Sequence, residues 1–177
     1  MKKHFPFRYN KPSLETDVFI ASGAQVVGDV HIGSESSIWF NAVVRGDVNY
    51  VRIGEKTNIQ DLSMIHESYK ASPTKVGSHV TVGHSVILHA CTIGDFSLMG
   101  MGSIVLDDAE IGDFVLLGAG SLVTQGMKIP SRSKAFGRPA KVVGTLTEED
   151  IARLKWSADH YVALARTYLN SSPPCAV

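Results

Sequence analysis

The chain of 177 residues has only two cysteines, Cys91 and Cys175. Two thiols are too few for a disulfide framework, which excludes a loop-rich scaffold stapled for an oxidising compartment. Neither sign of charge is in excess, because 17 Lys and Arg balance 17 Asp and Glu. A net basic field that would hold nucleic acid or an anionic membrane is therefore missing. No apolar run approaches the roughly 20 residues of a membrane-crossing helix. The start MKKHFPFRYNKP opens on two lysines with no apolar stretch behind them, which argues against a secretory signal. These absences lead to the expectation of a soluble, cytoplasmic protein of one domain, with no nucleic-acid or membrane partner.

What is present is a repeat. Aliphatic residues recur every six positions at Ile20, Val26, Ile32, Ile38 and Val44. The phase resumes at Ile53, Ile59 and Ile65, and again at Val76, Val82 and Leu88. After one five-residue step it runs from Ile93 through Met99, Val105, Ile111, Leu117 and Val123 to Ile129. Gly often follows directly, as at Gly33, Gly54, Gly77 and Gly94. A helical period of 3.6 cannot hold this phase for so long, whereas short strands with Gly at the turns can. The spacing predicts an all-β solenoid, a parallel β-helix of hexapeptide repeats with three hexapeptides to a turn. Each coil leaves its apolar face uncovered, so stacking of coils supplies the core.

The predicted organisation is an N-terminal arm over 1–13, the β-helix over 14–143, an α-helix over 144–170 packed along it, and a flexible tail over 171–177. Thr147 is a good N-cap, and Glu148, Glu149 and Asp150 complement the helix dipole. Ile151, Leu154, Ala158, Tyr161, Ala165 and Tyr168 form the expected apolar stripe.

The repeat is interrupted by VRGDVNYVR at 44–52, by IHESYKASPTK at 65–75 and by the short step LHACT. Interruptions in a solenoid are where function is grafted. If each stays within its slot, Val44, Ile65 and Leu88 share one face in successive coils. Arg45, His66 and His89, each following an aliphatic, then form a column with a spacing of about 4.8 Å. A tetrahedral zinc with bonds of ~2.1 Å needs ligand nitrogens roughly 3.4 Å apart, which leaning imidazoles in neighbouring coils can reach. His84 falls elsewhere, on the preceding face above Asp61, with Gln60 beside Asp61. In a threefold ring of such prisms, His84 of one copy meets His66 and His89 of the next, so a real metal site predicts an obligate homotrimer. Three imidazoles with an open fourth position are the pattern of catalytic zinc, which lowers the pKa of bound water to about 7 and yields hydroxide able to attack carbon dioxide. Arg45 and Asp47 fall near the subunit seam, and Gln60 is placed to bond water or substrate.

RGDVNYVRIG at 45–54, TNIQD at 57–61, His66 and VGHSVILHACTIG at 82–94 resemble the gamma-class carbonic anhydrases over essentially the whole chain. The resemblance implies a left-handed coil and a homotrimer with interfacial zinc sites, each taking two ligands from one subunit and one from its neighbour. It implies His66, His84 and His89 as ligands, with His66 and His89 the same-chain pair. Arg45, Asp47, Asn58, Gln60 and Asp61 fall on the family's active-site motif positions, and Tyr161 matches a tyrosine near that site. Two departures stand out. Val48 follows RGD where active members carry an acid, and the loop ESYKASPTK is short, with Glu67 its one nearby acid. The sequence resembles the short-loop branch of the family, and without a proton shuttle zinc hydroxide would regenerate slowly.

Zinc is the expected cofactor, with Fe2+ or Co2+ as substitutes, and carbon dioxide and bicarbonate are the expected substrates. The rivals are a hexapeptide acyltransferase or thioester-related enzyme, because GRPAK-type exits occur there too, and a catalytically silent zinc-binding trimer. His31 and His79 read as surface residues, Cys91 as a small buried hydrophobe, and Met99 and Met101 as packing.

Overall fold

The computed structural model describes residues 10–69 and 72–171. Most of the expected arm and tail lie outside the described residues. The chain winds into a β-solenoid of about seven turns with one C-terminal helix. Short parallel strands stack into three faces, two of them joined in an eleven-stranded sheet and the third in an eight-stranded one. The join is made by two longer strands, Gln25–Ile32 and Val43–Ile53, which run round a corner from one face to the next.

Face one stacks Val44, Ile65, Leu88, Val105 and Val123 in register. Face two stacks Ile32, Ile53, Val76, Ile93, Ile111 and Ile129, and face three runs from Ile20 through Ile59 and Val82 to Ala135. Nearly all of these side chains point to the axis, where they form one buried cluster. The hexad period and the three interruptions thus resolve into a single continuous register.

The glycines that follow the aliphatics serve close approach. A Cβ at Gly54 would lie 2.6 Å from the Gly77 carbonyl carbon and the Ser78 nitrogen of the next coil. The left-handed turn positions lie two residues further on and mostly carry side chains, among them Lys56, His79, Phe96 and Phe114, at φ between 51° and 56°. His79 is accordingly stacked on Phe96 at 4.4 Å instead of standing free at the surface.

The outward positions distinguish the faces. Face two presents His31, Arg52, Lys75, Glu110 and Lys128. Face three is covered by the helix Glu148–Asn170. Face one presents an apolar ladder of Val43, Met64, Ile87, Ile104 and Leu122, with Met64 37% and Ile87 39% exposed.

Thr147 caps the helix through a reciprocal pair with Asp150. The helix buries Ile151, Leu154, Ala158, Val162 and Ala165. Val162 takes the central place expected for Tyr161, because Tyr161 and Tyr168 sit on one flank of the stripe at 100° per residue. Both tyrosines lean instead on Trp39, at 5.5 and 5.4 Å between rings. The solenoid ends in an antiparallel pair, Ser133–Gly137 with Ala140–Thr145, so strand extends slightly beyond residue 143. Among the described residues no helix is long and apolar enough to cross a membrane.

Candidate metal centre

His66 and His89 each end a three-residue strand, Met64–His66 and Ile87–His89, and are direct partners in register. Ile65 and Leu88 between them point inward and are fully buried, so strand alternation turns both imidazoles outward. His66 Nδ1 lies 3.3 Å from His89 Nε2. The outer nitrogens face carboxylates. His89 Nδ1 is 2.5 Å from Asp107 Oδ1. His66 Nε2 is 3.3 Å from Asp47 Oδ1 and 3.1 Å from Glu67 Oε2.

The flanking carboxylates favour one placement of the ring protons. A neutral imidazole carries one N–H, and a carboxylate accepts it. In the tautomer with both N–H groups turned to acids, the inner nitrogens present two lone pairs to one point. Two lone pairs at 3.3 Å repel unless a proton or cation lies between them. Their separation matches the roughly 3.4 Å edge of a tetrahedron with bonds of ~2.1 Å. Where a metal is bound, a carboxylate behind a ligating histidine fixes its tautomer and raises its basicity.

The corner carrying Asp47 is built by the bent strand Val43–Ile53. Arg45 Nη1 donates to both Asp47 oxygens at 2.7 Å. Burial alone raises the Asp47 carboxyl, but hydrogen bonds from Arg45 and His66 and their charges outweigh it and hold it below the ordinary aspartate range. Glu67 is fully buried, and its Oε1 accepts from the Val48 and Asn49 backbone N–H groups at 2.7 and 2.8 Å. Cys91, two residues past His89, is buried, and that burial pushes its thiol up to about 12. It packs in the core cluster.

The remaining predicted residues gather at the opposite edge of face one. His84 Nδ1 pairs with Asp61 Oδ2 at 2.8 Å, on the turn that leads into the strand ending at His89. Tyr161 lies near enough to Asp61 that burial, and then the Asp61 charge, raise its phenol above the usual value. Gln60 is buried and donates its amide to Asn58 Oδ1 at 3.0 Å. Asn58 donates in turn to Thr81 Oγ1 at 3.1 Å, and Thr81 meets Ser157 of the helix at 3.0 Å. Within one copy, then, Arg45, Asp47, His66 and His89 come together, while His84, Asp61, Gln60, Asn58 and Tyr161 form a second group.

No family model matches the chain. It is 51% identical over 154 residues to a probable carbonic anhydrase of Methanocaldococcus jannaschii, covering 87% of this chain and 96% of that one. The chain belongs to the gamma carbonic anhydrase family. Another member of the gamma carbonic anhydrase family, the mitochondrial gamma carbonic anhydrase 2 of Arabidopsis thaliana, is 43% identical over 91% of this chain. The chain spans 60% of that plant relative's length. A crystal structure from Bacillus cereus described as a putative acetyltransferase superposes with a TM-score of 0.87 at 49% identity, covering 89% of this chain and 91% of that one.

For a gamma carbonic anhydrase family member, the donor set suits a metal ion, since Asp47, His66 and Glu67 bring ligand atoms together at one corner and the tilted His89 imidazole of the next coil approaches His66. Two carboxylates escaped the sequence reasoning in these roles. Asp107 stands two places past Val105, one coil beyond His89, and carrying the slot count to the second corner residue would have placed it. Glu67 carries no such signal, because the bend of Val43–Ile53 over it is not fixed by spacing.

Proposed function

We propose that the protein is a gamma-type carbonic anhydrase-like metalloprotein, hydrating carbon dioxide reversibly to bicarbonate at the seams of a homotrimer. His66 and His89 of one copy and His84 of the next would hold the metal. The observation that carries this reading is the 3.3 Å approach of His66 Nδ1 to His89 Nε2 with a carboxylate behind each ring. The apolar ladder through Met64 and Ile87 supports the trimer, because its neighbours on either side are the two groups that must meet across a seam.

When bound, the metal supplies Lewis acidity, which lets water act as a nucleophile near neutral pH. The chain's own residues do the rest. Asp61, Asp107 and Asp47 orient His84, His89 and His66 respectively. Arg45 balances the Asp47 charge at the seam. Gln60, its amide nitrogen committed to Asn58, offers its carbonyl oxygen to water or substrate. Tyr161, its phenol raised by burial and by the Asp61 charge, keeps its proton at neutral pH. Zinc is the proposed metal, with Fe2+ or Co2+ accepted by the same donors.

Metal analysis followed by anaerobic stopped-flow hydration of the zinc- or iron-loaded protein, against a His89→Ala variant, tests the proposal. Hydration lost together with metal in the variant is expected. Equal rates in both would sink the anhydrase reading, and metal binding without hydration would leave the silent trimer. Acyl transfer is favoured by the description of the Bacillus cereus structure as a putative acetyltransferase, and saturable acetyl-CoA binding that survives loss of all three histidines would favour it.

A further inference from the structure

Glu67 is the most deeply buried acid of the described chain, with no accessible surface. Burying a carboxylate is costly unless it is paired and hydrogen-bonded. Oε1 is well paired by the two N–H groups of Val48 and Asn49. Oε2 makes no hydrogen bond of regular geometry among the described residues. It lies instead 3.1 Å from His66 Nε2, beside the N–H that points to Asp47 Oδ1. One side chain thus touches both the corner insertion that carries Asp47 and the outer edge of the His66 ring.

We propose that Glu67 is a positioning residue for the metal site, holding the His66 proton on Nε2 so that Nδ1 is left as a lone pair beside His89. This rests on the metal reading given above. Two negative oxygens, from Asp47 and Glu67, flank Nε2 and favour a proton there. Asp47 alone is a weaker lock, because it is partly exposed and already shared with Arg45. Glu67 is dry, and its place is set by two backbone amides. It also ties ring to insertion, so that His66 cannot turn without disturbing Val48 and Asn49.

Glu67→Gln tests this with little change of volume. If the new amide keeps its oxygen on Val48 and Asn49, its NH2 faces His66 Nε2–H, donor against donor. The clash is relieved by moving the ring proton to Nδ1, which removes the lone pair next to His89. If the amide flips, its NH2 meets the two backbone N–H groups instead. Either way the tautomer lock is lost.

The measurements are the ring-nitrogen NMR of 15N-histidine-labelled, metal-free full-length protein and zinc affinity by chelator competition. Expected are a larger share of Nε2–H at His66 in the wild type than in Glu67→Gln, which shifts toward Nδ1–H, and a loss of zinc affinity of about 10- to 100-fold in the variant. Nδ1–H in the wild type, or an unchanged tautomer and affinity in the variant, would overturn the proposal. Glu67→Asp keeps the charge but is one methylene too short to reach both partners, and gives the same readout should Gln prevent folding. A wild type that binds no zinc would defeat the metal reading, while the tautomer comparison would still decide the role of Glu67.

Discussion

His66 and His89 face each other across one coil of the solenoid, Nδ1 to Nε2 at 3.3 Å, and Asp107 stands behind His89 at 2.5 Å. Asp107→Asn keeps the shape of that partner but offers an amide that can present either an oxygen or an NH2 to the ring. The His89 tautomer is then no longer imposed. Metal affinity is expected to fall about 10- to 100-fold, with the melting temperature close to wild type because the side chain is partly exposed. Affinity unchanged in a chelator titration would show that Asp107 does not orient the ligand.

If the metal is shared across a seam, defects in different copies can complement. His84→Ala chains retain the His66/His89 pair, and His89→Ala chains retain His84. Each homotrimer lacks a complete site. Random mixing gives complete sites at about a quarter of seams, wherever a His84→Ala copy meets a His89→Ala copy in the right order. Refolding the two variants together and measuring tightly held zinc checks this. No recovery above the separate variants would place the three histidines in one copy or in no common site.

The apolar ladder of face one makes a separate prediction. Ile87 is 39% exposed and stacks between Met64 and Ile104, so Ile87→Glu leaves a charge in water in an isolated copy. In a trimer the same charge is buried without a partner, at a cost of several kcal/mol. Analytical ultracentrifugation should show trimers of the wild type and monomers of the variant. A trimeric Ile87→Glu protein would move the assembly surface to another face.

Much of this was legible in the sequence, for a physical reason. Inward aliphatics at Val44, Ile65 and Leu88 can tolerate insertions only where the chain leaves the prism, so slot counting survives the interruptions and sets His66 beside His89. The same count sets His84 over Asp61. Less legible is whatever depends on how a corner bends. The reach of Glu67 to Val48 and Asn49 follows from the curvature of an eleven-residue strand. The antiparallel close at Ala140–Thr145 likewise reverses a parallel pattern without breaking the apolar composition. On the helix, Tyr161 and Val162 are adjacent and both apolar enough to face inward. Only the aromatic cluster of Phe19, Trp39 and Tyr168 decides which of them lies at the flank.

The helix is also pinned by charge, and this gives a prediction in pH. Arg166 of the helix pairs with Glu35, which Lys56 also approaches at 3.6 Å. The hydrogen bond from Arg166, offset in part by burial and aided by the charges of Arg166 and Lys56, lowers the Glu35 carboxyl below its ordinary value of 4.5. A carboxyl lowered in the folded state stabilises fully above its unfolded value and loses that contribution as pH falls through the folded one. Glu35→Gln should therefore be less stable than wild type at neutral pH, by under about 1 kcal/mol because Arg166 is largely exposed. Below pH 4.5 the gap should narrow and close as the wild-type carboxyl protonates. Asp47 and Asp150 are also held low by their partners, so both proteins lose stability in acid, and the difference between them isolates Glu35. Urea unfolding at several pH values measures it, and a gap that persists or widens in acid would mean the pair does not hold the helix.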